Sequence, residues 1–283
     1  MLGMIFIPLI LNALDYTIIN GKKEITMDTF RKMLHRSDIV YIGETHTSTF
    51  SHSVQLEVIR MMYEKNKKIC VGFEMLNKTL QPWLDKYLTG EISEDEFLNG
   101  INWEKEWGFD FSLYRPIFSF VKDSKLKALA LNLPRRVVSK VARGGIDALS
   151  EDEKKLMAKN IKVNKNRRYK KYLENTFYTG DENPMNKIMT FENYTLSMAV
   201  WNETMGERVA EFINLNPGYS FVVIAGNGHI IYNAAIPWSV RKRTKKLKHL
   251  SIYTAEENEI QNSKDYYKWA DIIVVKKSTT HIR

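Results

Sequence analysis

Two copies of Gly-x-x-His, each directly after a run of β-forming residues, constrain this chain more than any other feature. The first is Gly43-Glu44-Thr45-His46, after Asp38-Ile39-Val40-Tyr41-Ile42. The second is Gly226-Asn227-Gly228-His229, after Phe221-Val222-Val223-Ile224-Ala225. Apolar runs without alternation mark strands buried on both faces of a parallel sheet. The carboxyl ends of such strands line one crevice, so the two motifs are expected to meet there.

Further runs at Ile69–Glu74, Leu126–Leu131, Leu250–Thr254 and Ile272–Val275 read as strands, and Asp15–Lys23 as a short strand and turn with Asn20-Gly21 as the turn signal. Thr26–His35 and Ser51–Lys65 read as helices; Val54, Val58 and Met61 or Met62 recur at helical spacing. This alternation implies right-handed crossovers and an α/β fold, a mostly parallel sheet flanked by helices. Two connections, about 77–120 and 135–205, are long and helical in character. We read them as a helical cap inserted after the strand ends of one domain spanning 15–283. At 44% hydrophobic, 283 residues suffice for a full core.

Each strand that reaches the crevice ends in a distinctive polar residue: Glu44 and His46, Glu74, Asn132 with Arg135 after it, then Asn227 and His229. Glu44, His46, Glu74 and His229 have the donor chemistry of a divalent metal site, or of a general base with its orienting partner. Singly, such a glutamate caps a helix and such a histidine is a core or surface residue; together they point to a functional cluster. His52 and Gln55 open the next helix, where capping and solvation explain them about as well. Trp103, Trp107, Phe109, Phe111, Tyr114 and Phe118 fall within 16 residues. We expect a satellite core beneath the cap, with the wall of a pocket for a flat apolar ligand as the alternative.

Charge is local. Six lysines and arginines lie in 162–171 and six in 241–249, with no acid in either; these twelve exceed the net charge of +9, leaving the rest at −3. Such patches read as solvated faces or as contacts with an anion such as lipid headgroups. No nucleic-acid module accompanies them, so nucleic acid is not expected. The single cysteine, Cys70, excludes an internal disulfide and a Cys-rich zinc site; its apolar setting makes it a core residue. Residues 4–14 are too short to span a bilayer but fit the apolar part of a secretion leader over 1–14, although no Lys or Arg precedes them and no A-x-A site follows. We expect export to the periplasm or envelope. No lipid-accepting cysteine follows, so a lipoprotein is not expected.

Between residues 38 and 238 an ordered set of motifs follows: Gly43-Glu44-Thr45-His46, Gly72-Phe73-Glu74-Met75, Gln81-Pro82-Trp83-Leu84-Asp85, Trp103-Glu104-Lys105-Glu106-Trp107-Gly108, Leu113-Tyr114-Arg115-Pro116, Ala130 to Arg135, Trp201-Asn202-Glu203-Thr204-Met205 and Gly226 to His229. The set resembles the ChaN-like haem-binding family of the Tiki superfamily. That resemblance implies haem binding by a cell-envelope protein linked to iron or haem acquisition. It also implies a homodimer in which two haems stack face to face, with tyrosine on the iron and histidine on propionate. Envelope haem-uptake components or an anionic membrane surface would be its partners. We place the cofactor-binding role on Tyr114, because its motif lies in the aromatic stretch, and on His52, where the family often has two adjacent histidines. Asn202 stands where an aspartate is common. The wider superfamily, with metal-dependent proteases and an esterase, implies an alternative. In it a metal held by Glu44, His46, Glu74 and His229 activates water, Glu44 or Glu74 acts as base and Arg135 steadies the oxyanion. A third reading is an envelope interaction protein whose pocket is idle and whose basic patches are the working surface.

Overall fold

The computed structural model describes residues 15–178 and 188–278; the leader expected over 1–14 lies outside them. A hairpin of β1 (Tyr16–Asn20) and β2 (Lys23–Glu24) leads into α1 (Met27–His35), which Thr26 caps by accepting from the Thr29 N–H. β3 (Ile39–Glu44), α2 (Thr49–Lys65) and β4 (Ile69–Asn77) follow. The first long connection holds α3 (Gln81–Thr89), α4 (Glu94–Ile101), α5 (Trp103–Glu106) and α6 (Arg115–Asp123) before β5 (Lys127–Asn132). The second holds α7 (Arg135–Gly144), α8 (Glu151–Lys154), α9 (Arg167–Tyr178) and α10 (Phe191–Leu215) before β6 (Ser220–Gly226). The chain closes with α11 (Ile236–Arg241), β7 (His249–Glu256), α12 (Glu257–Gln261) and β8 (Ile272–Lys276).

The strands form one sheet in the order β2-β1-β8-β7-β3-β6-β4-β5. From β8 to β5 all neighbours are parallel; only the hairpin at the edge runs antiparallel. This is the expected α/β architecture. β6 inserts between β3 and β4, so Glu44 pairs with Gly226 while Phe73 pairs with Ile224. Both Gly-x-x-His motifs and Glu74 thereby leave the sheet side by side.

Alternate residues of the central strands enter two cores. Val40, Ile42, Val222 and Ile224 face α1, α2, α3, α4 and α6. Ile39, Tyr41, Phe221 and Val223 face α10 and α11, together with the fully buried Cys70. Burying each such side chain is worth about 1.5–3 kcal/mol, which is why these runs read as unbroken apolar stretches. The long connections differ from the expected cap in one respect. Leu84 of α3, Phe97 of α4 and Phe118 of α6 pack within the first core, and Met205 and Val209 of α10 within the second. Only the segment around Trp107–Phe109, α7, α9 and the first half of α10 contribute walls over the strand ends. Among the described residues no helix is long and apolar enough to cross a membrane.

Candidate functional site

At the carboxyl ends of β3, β6 and β4 lies a cleft of about 650 Å³. Its floor is two glutamate–histidine pairs. Glu44, 2% exposed, accepts from the Tyr114 hydroxyl at 2.7 Å and from Gln55 Nε2 at 2.6 Å, and its Oε1 lies 2.8 Å from His46 Nδ1. Glu74, equally buried, accepts from the Gly226 N–H at 2.6 Å and lies 3.1 Å from His229 Nε2. The other nitrogen of His229, Nδ1, is 2.6 Å from Asn202 Oδ1, and Asn202 Nδ2 donates to the Tyr169 hydroxyl at 3.0 Å. Each histidine also meets a tryptophan edge-on, His46 with Trp107 at 4.8 Å and His229 with Trp201 at 5.1 Å between ring centres.

Local sequence explains this geometry. The β4–β5 pairing shifts register between Phe73 and Asn77, the kind of bulge that re-aims side chains beside a site, and the Asn132 amide holds the Glu74 carbonyl at 2.9 Å. Gly226 admits His46: a Cβ there would stand 3.0 Å from the imidazole Cε1. α2 begins directly after the first motif, with Ser48 as its cap, and so brings His52 and Gln55, three residues apart, under Glu44.

The electrostatics of the pairs oppose burial. Burial alone would lower the His46 imidazole, but the hydrogen bond to Glu44 and the charges of Glu74 and Glu44 raise it above its ordinary value. Burial alone would raise the Glu74 carboxyl. The charge and hydrogen bond of His229, the charge of His46 and the Gly226 N–H hold it below the carboxylate range instead.

The structure brings Glu44, His46, Glu74 and His229 together, yet as hydrogen-bonded pairs and not as a metal centre. The glutamate oxygens are occupied by Tyr114, Gln55, Gly226 and the imidazoles, and among the described residues no three His, Cys, Asp or Glu side chains are grouped to hold a metal ion. The four residues of the expected metal site thus adjoin one another as two pairs. Tyr114 and His52 stand behind the floor. Tyr114 is fully buried, and burial and the Glu44 charge push its phenol far up. His52 is 4% exposed, its ring nitrogens 3.1 Å from Gln55 Oε1 and from the His46 carbonyl. Neither lines the cleft; Tyr114 holds Glu44 and His52 holds the His46 carbonyl. Arg135, exposed at the start of α7, lines the cleft with no hydrogen bond or ion pair to a described residue.

Two wall residues were not anticipated. Tyr172 of α9 reaches over the second motif, where a Cβ on Gly228 would stand 2.8 Å from its hydroxyl. Trp201 lines the cleft with its buried indole N–H lacking a hydrogen-bond partner among the described residues. A readable signal existed for the first: Tyr169 and Tyr172 lie three apart in an otherwise charged helix start, and their rings stack 6.2 Å apart. The expected aromatic cluster divides. Trp103, Phe111, Tyr114 and Phe118 are core, while Trp107 and Phe109 are half-buried cleft walls.

Comparisons with known proteins agree with this architecture. The structure is similar to that of ChaN from Campylobacter jejuni, described with cofacially bound haem, at a TM-score of 0.72 and 19% identity, covering 93% of this chain and 98% of that one. A more distant likeness, TM-score 0.50 and 11% identity over 86% of this chain and 77% of the other, is to the erythromycin esterase EreC. Among curated sequences the chain is 22% identical over 254 residues to the chloroplast protein RETICULATA-RELATED 5 of Arabidopsis thaliana; this covers 83% of the chain but only 33% of that longer relative. A family model described as haem-binding uptake, Tiki superfamily, ChaN, matches residues 30–240, and the chain belongs to that family.

Proposed function

We propose that the chain binds haem in this cleft, as an envelope protein of iron or haem acquisition that dimerises around its ligand. The observation that carries the reading is the pairing of a polar floor with aromatic walls, Trp107, Phe109, Tyr172 and Trp201, in a cleft whose Arg135 has no ion pair among the described residues. A porphyrin is a flat apolar ring bearing two carboxylates, and the residues fit it. Aromatic faces cover the ring, the exposed Arg135 suits a carboxylate, and Tyr172 and His46 are donor types that bind haem iron. When bound, ferric haem would supply a Lewis-acidic iron whose preference is for an anionic oxygen donor; of the two tyrosines lining the cleft, Tyr172 and Tyr253, we assign that role to Tyr172. One open cleft covers a single porphyrin face, and a second copy of the chain would shield the other from water. The test is the visible spectrum of the ferric complex in Tyr172→Phe and Tyr114→Phe. The reading expects the first to move the Soret and charge-transfer bands and the second to leave them. Unchanged bands in Tyr172→Phe would remove that tyrosine from the iron.

A second reading, hydrolysis, is favoured by one observation. His46 Nδ1 is fixed on Glu44, while Nε2 carries no hydrogen bond to a described residue. That is the arrangement of a general base with its orienting carboxylate. His229 and Arg135 border the space where a polarised carbonyl would sit. Here the expectation is turnover of a chromogenic ester that His46→Ala abolishes; no turnover above the rate of His46→Ala contradicts it.

A further inference from the structure

Behind His229 lies a second cavity, of about 260 Å³, between α9, α10 and the start of α11. It is larger than the ~150 Å³ that suffices for benzene. Its inner walls are apolar, among them Tyr169, Leu173, Ala199 and Trp238. Thr195 also lines it, with a buried hydroxyl that has no hydrogen-bond partner among the described residues.

The charge around this cavity comes from both basic patches of the sequence, which the fold brings together. Lys162 and Lys165 line the cavity, are exposed, and make no hydrogen bond or ion pair with a described residue. Lys242 and Arg243, from the other patch, clasp the buried Glu203 in the cavity wall. Lys162 is close enough to Lys242 to help lower its ammonium, though burial is the larger cause. The one carboxylate in the wall is therefore neutralised, and two lysines have no counter-charge among the described residues.

We propose that this cavity binds a small amphiphilic carboxylate, an aliphatic or aryl acid whose apolar body fills the interior and whose anion meets Lys162 and Lys165, and that its occupancy is felt at His229. The path is short. Tyr169 and Asn202 both line the cavity, the Tyr169 hydroxyl accepts from Asn202, and Asn202 Oδ1 holds His229 Nδ1. A ligand packed on Tyr169 fixes the Asn202 amide, and with it the orientation of the crevice imidazole. A site coupled in this way changes affinity in the crevice and is changed by it in equal measure.

The probes are octanoate and octan-1-ol, which share a chain and differ in charge. Calorimetry on the full chain should show saturable octanoate binding, about tenfold tighter than the alcohol, with the difference lost in Lys162→Gln/Lys165→Gln. Those exposed substitutions leave the core untouched, so their result stands even if a cavity-filling variant fails to fold. Ala199→Phe should block both probes. Long-range proton–nitrogen spectra should show the His229 ring signals moving with octanoate in the parent chain and staying still in Ala199→Phe. Absent octanoate binding, equal affinity for the alcohol, or full affinity in a folded Ala199→Phe overturns the site. Binding with unmoved His229 signals overturns the coupling.

Discussion

Glu44 and Glu74 are charged groups placed where an unpaired carboxylate would be costly, and each is held by partners of its own. Tyr114, Gln55 and His46 surround Glu44, so Glu44→Gln should turn an amide N–H₂ toward existing donors. We expect a loss of about 2–3 kcal/mol in urea unfolding, from donors left unsatisfied. A loss below a few tenths would mean that the pocket readily rearranges. The pairs also predict opposite pH signatures. His46 is raised in the folded chain, so its contribution is complete below 6.5 and is lost as pH climbs through the folded value. Glu74 is lowered, so its contribution is complete above 4.5 and is lost as pH falls through the folded value. Stability differences between the parent chain and Glu74→Gln should therefore shrink on acidification, and those with His46→Gln should shrink on raising pH. Trends of the reverse sign would contradict the pairings. At this scale the sequence indicated the four floor residues but not that Tyr114 and His52 stand behind them. Tyr114 and His52 look like ligands in a linear reading because nothing local reveals that Glu44 is buried on top of them.

Among the elements, α10 and α11 show how a basic run in sequence becomes a structural clamp. Glu203 of α10 is 1% exposed and is held by Lys242, Arg243 and, at 2.8 Å, the Ser239 hydroxyl. Removing both cations by Lys242→Met/Arg243→Met strands a buried charge, and we expect a loss of about 3–5 kcal/mol. Adding Glu203→Leu should restore most of it. If the double variant unfolds at the parent's denaturant midpoint, the clamp contributes nothing. The 241–249 patch reads as a solvated or anion-binding face because its partner is some forty residues upstream. The strands were legible for the converse reason. Residues buried on both faces must all be apolar, whatever their neighbours. Helix starts were legible where a local cap exists, as at Thr26. For Tyr172 the only local signal was its spacing from Tyr169, because its role depends on where α9 crosses the strand ends and not on the residues beside it.

For the whole molecule, the strand order converts separation in sequence into adjacency. β6 comes after both long connections yet lies between β3 and β4. No local pattern encodes that insertion; the repeated Gly-x-x-His pointed to it only because strand ends in a parallel sheet share a rim. In the proposed reading, the aromatic walls over that rim, the polar pairs beneath and Arg135, unpaired among the described residues, form the site for a flat, anionic, largely apolar ligand. The most direct test is a ferric haem titration of the purified chain, read by absorbance and by sedimentation on the same samples. The account predicts a saturable Soret shift at micromolar haem and a doubling of mass as the sites fill. A flat titration with the mass of one chain throughout would contradict it.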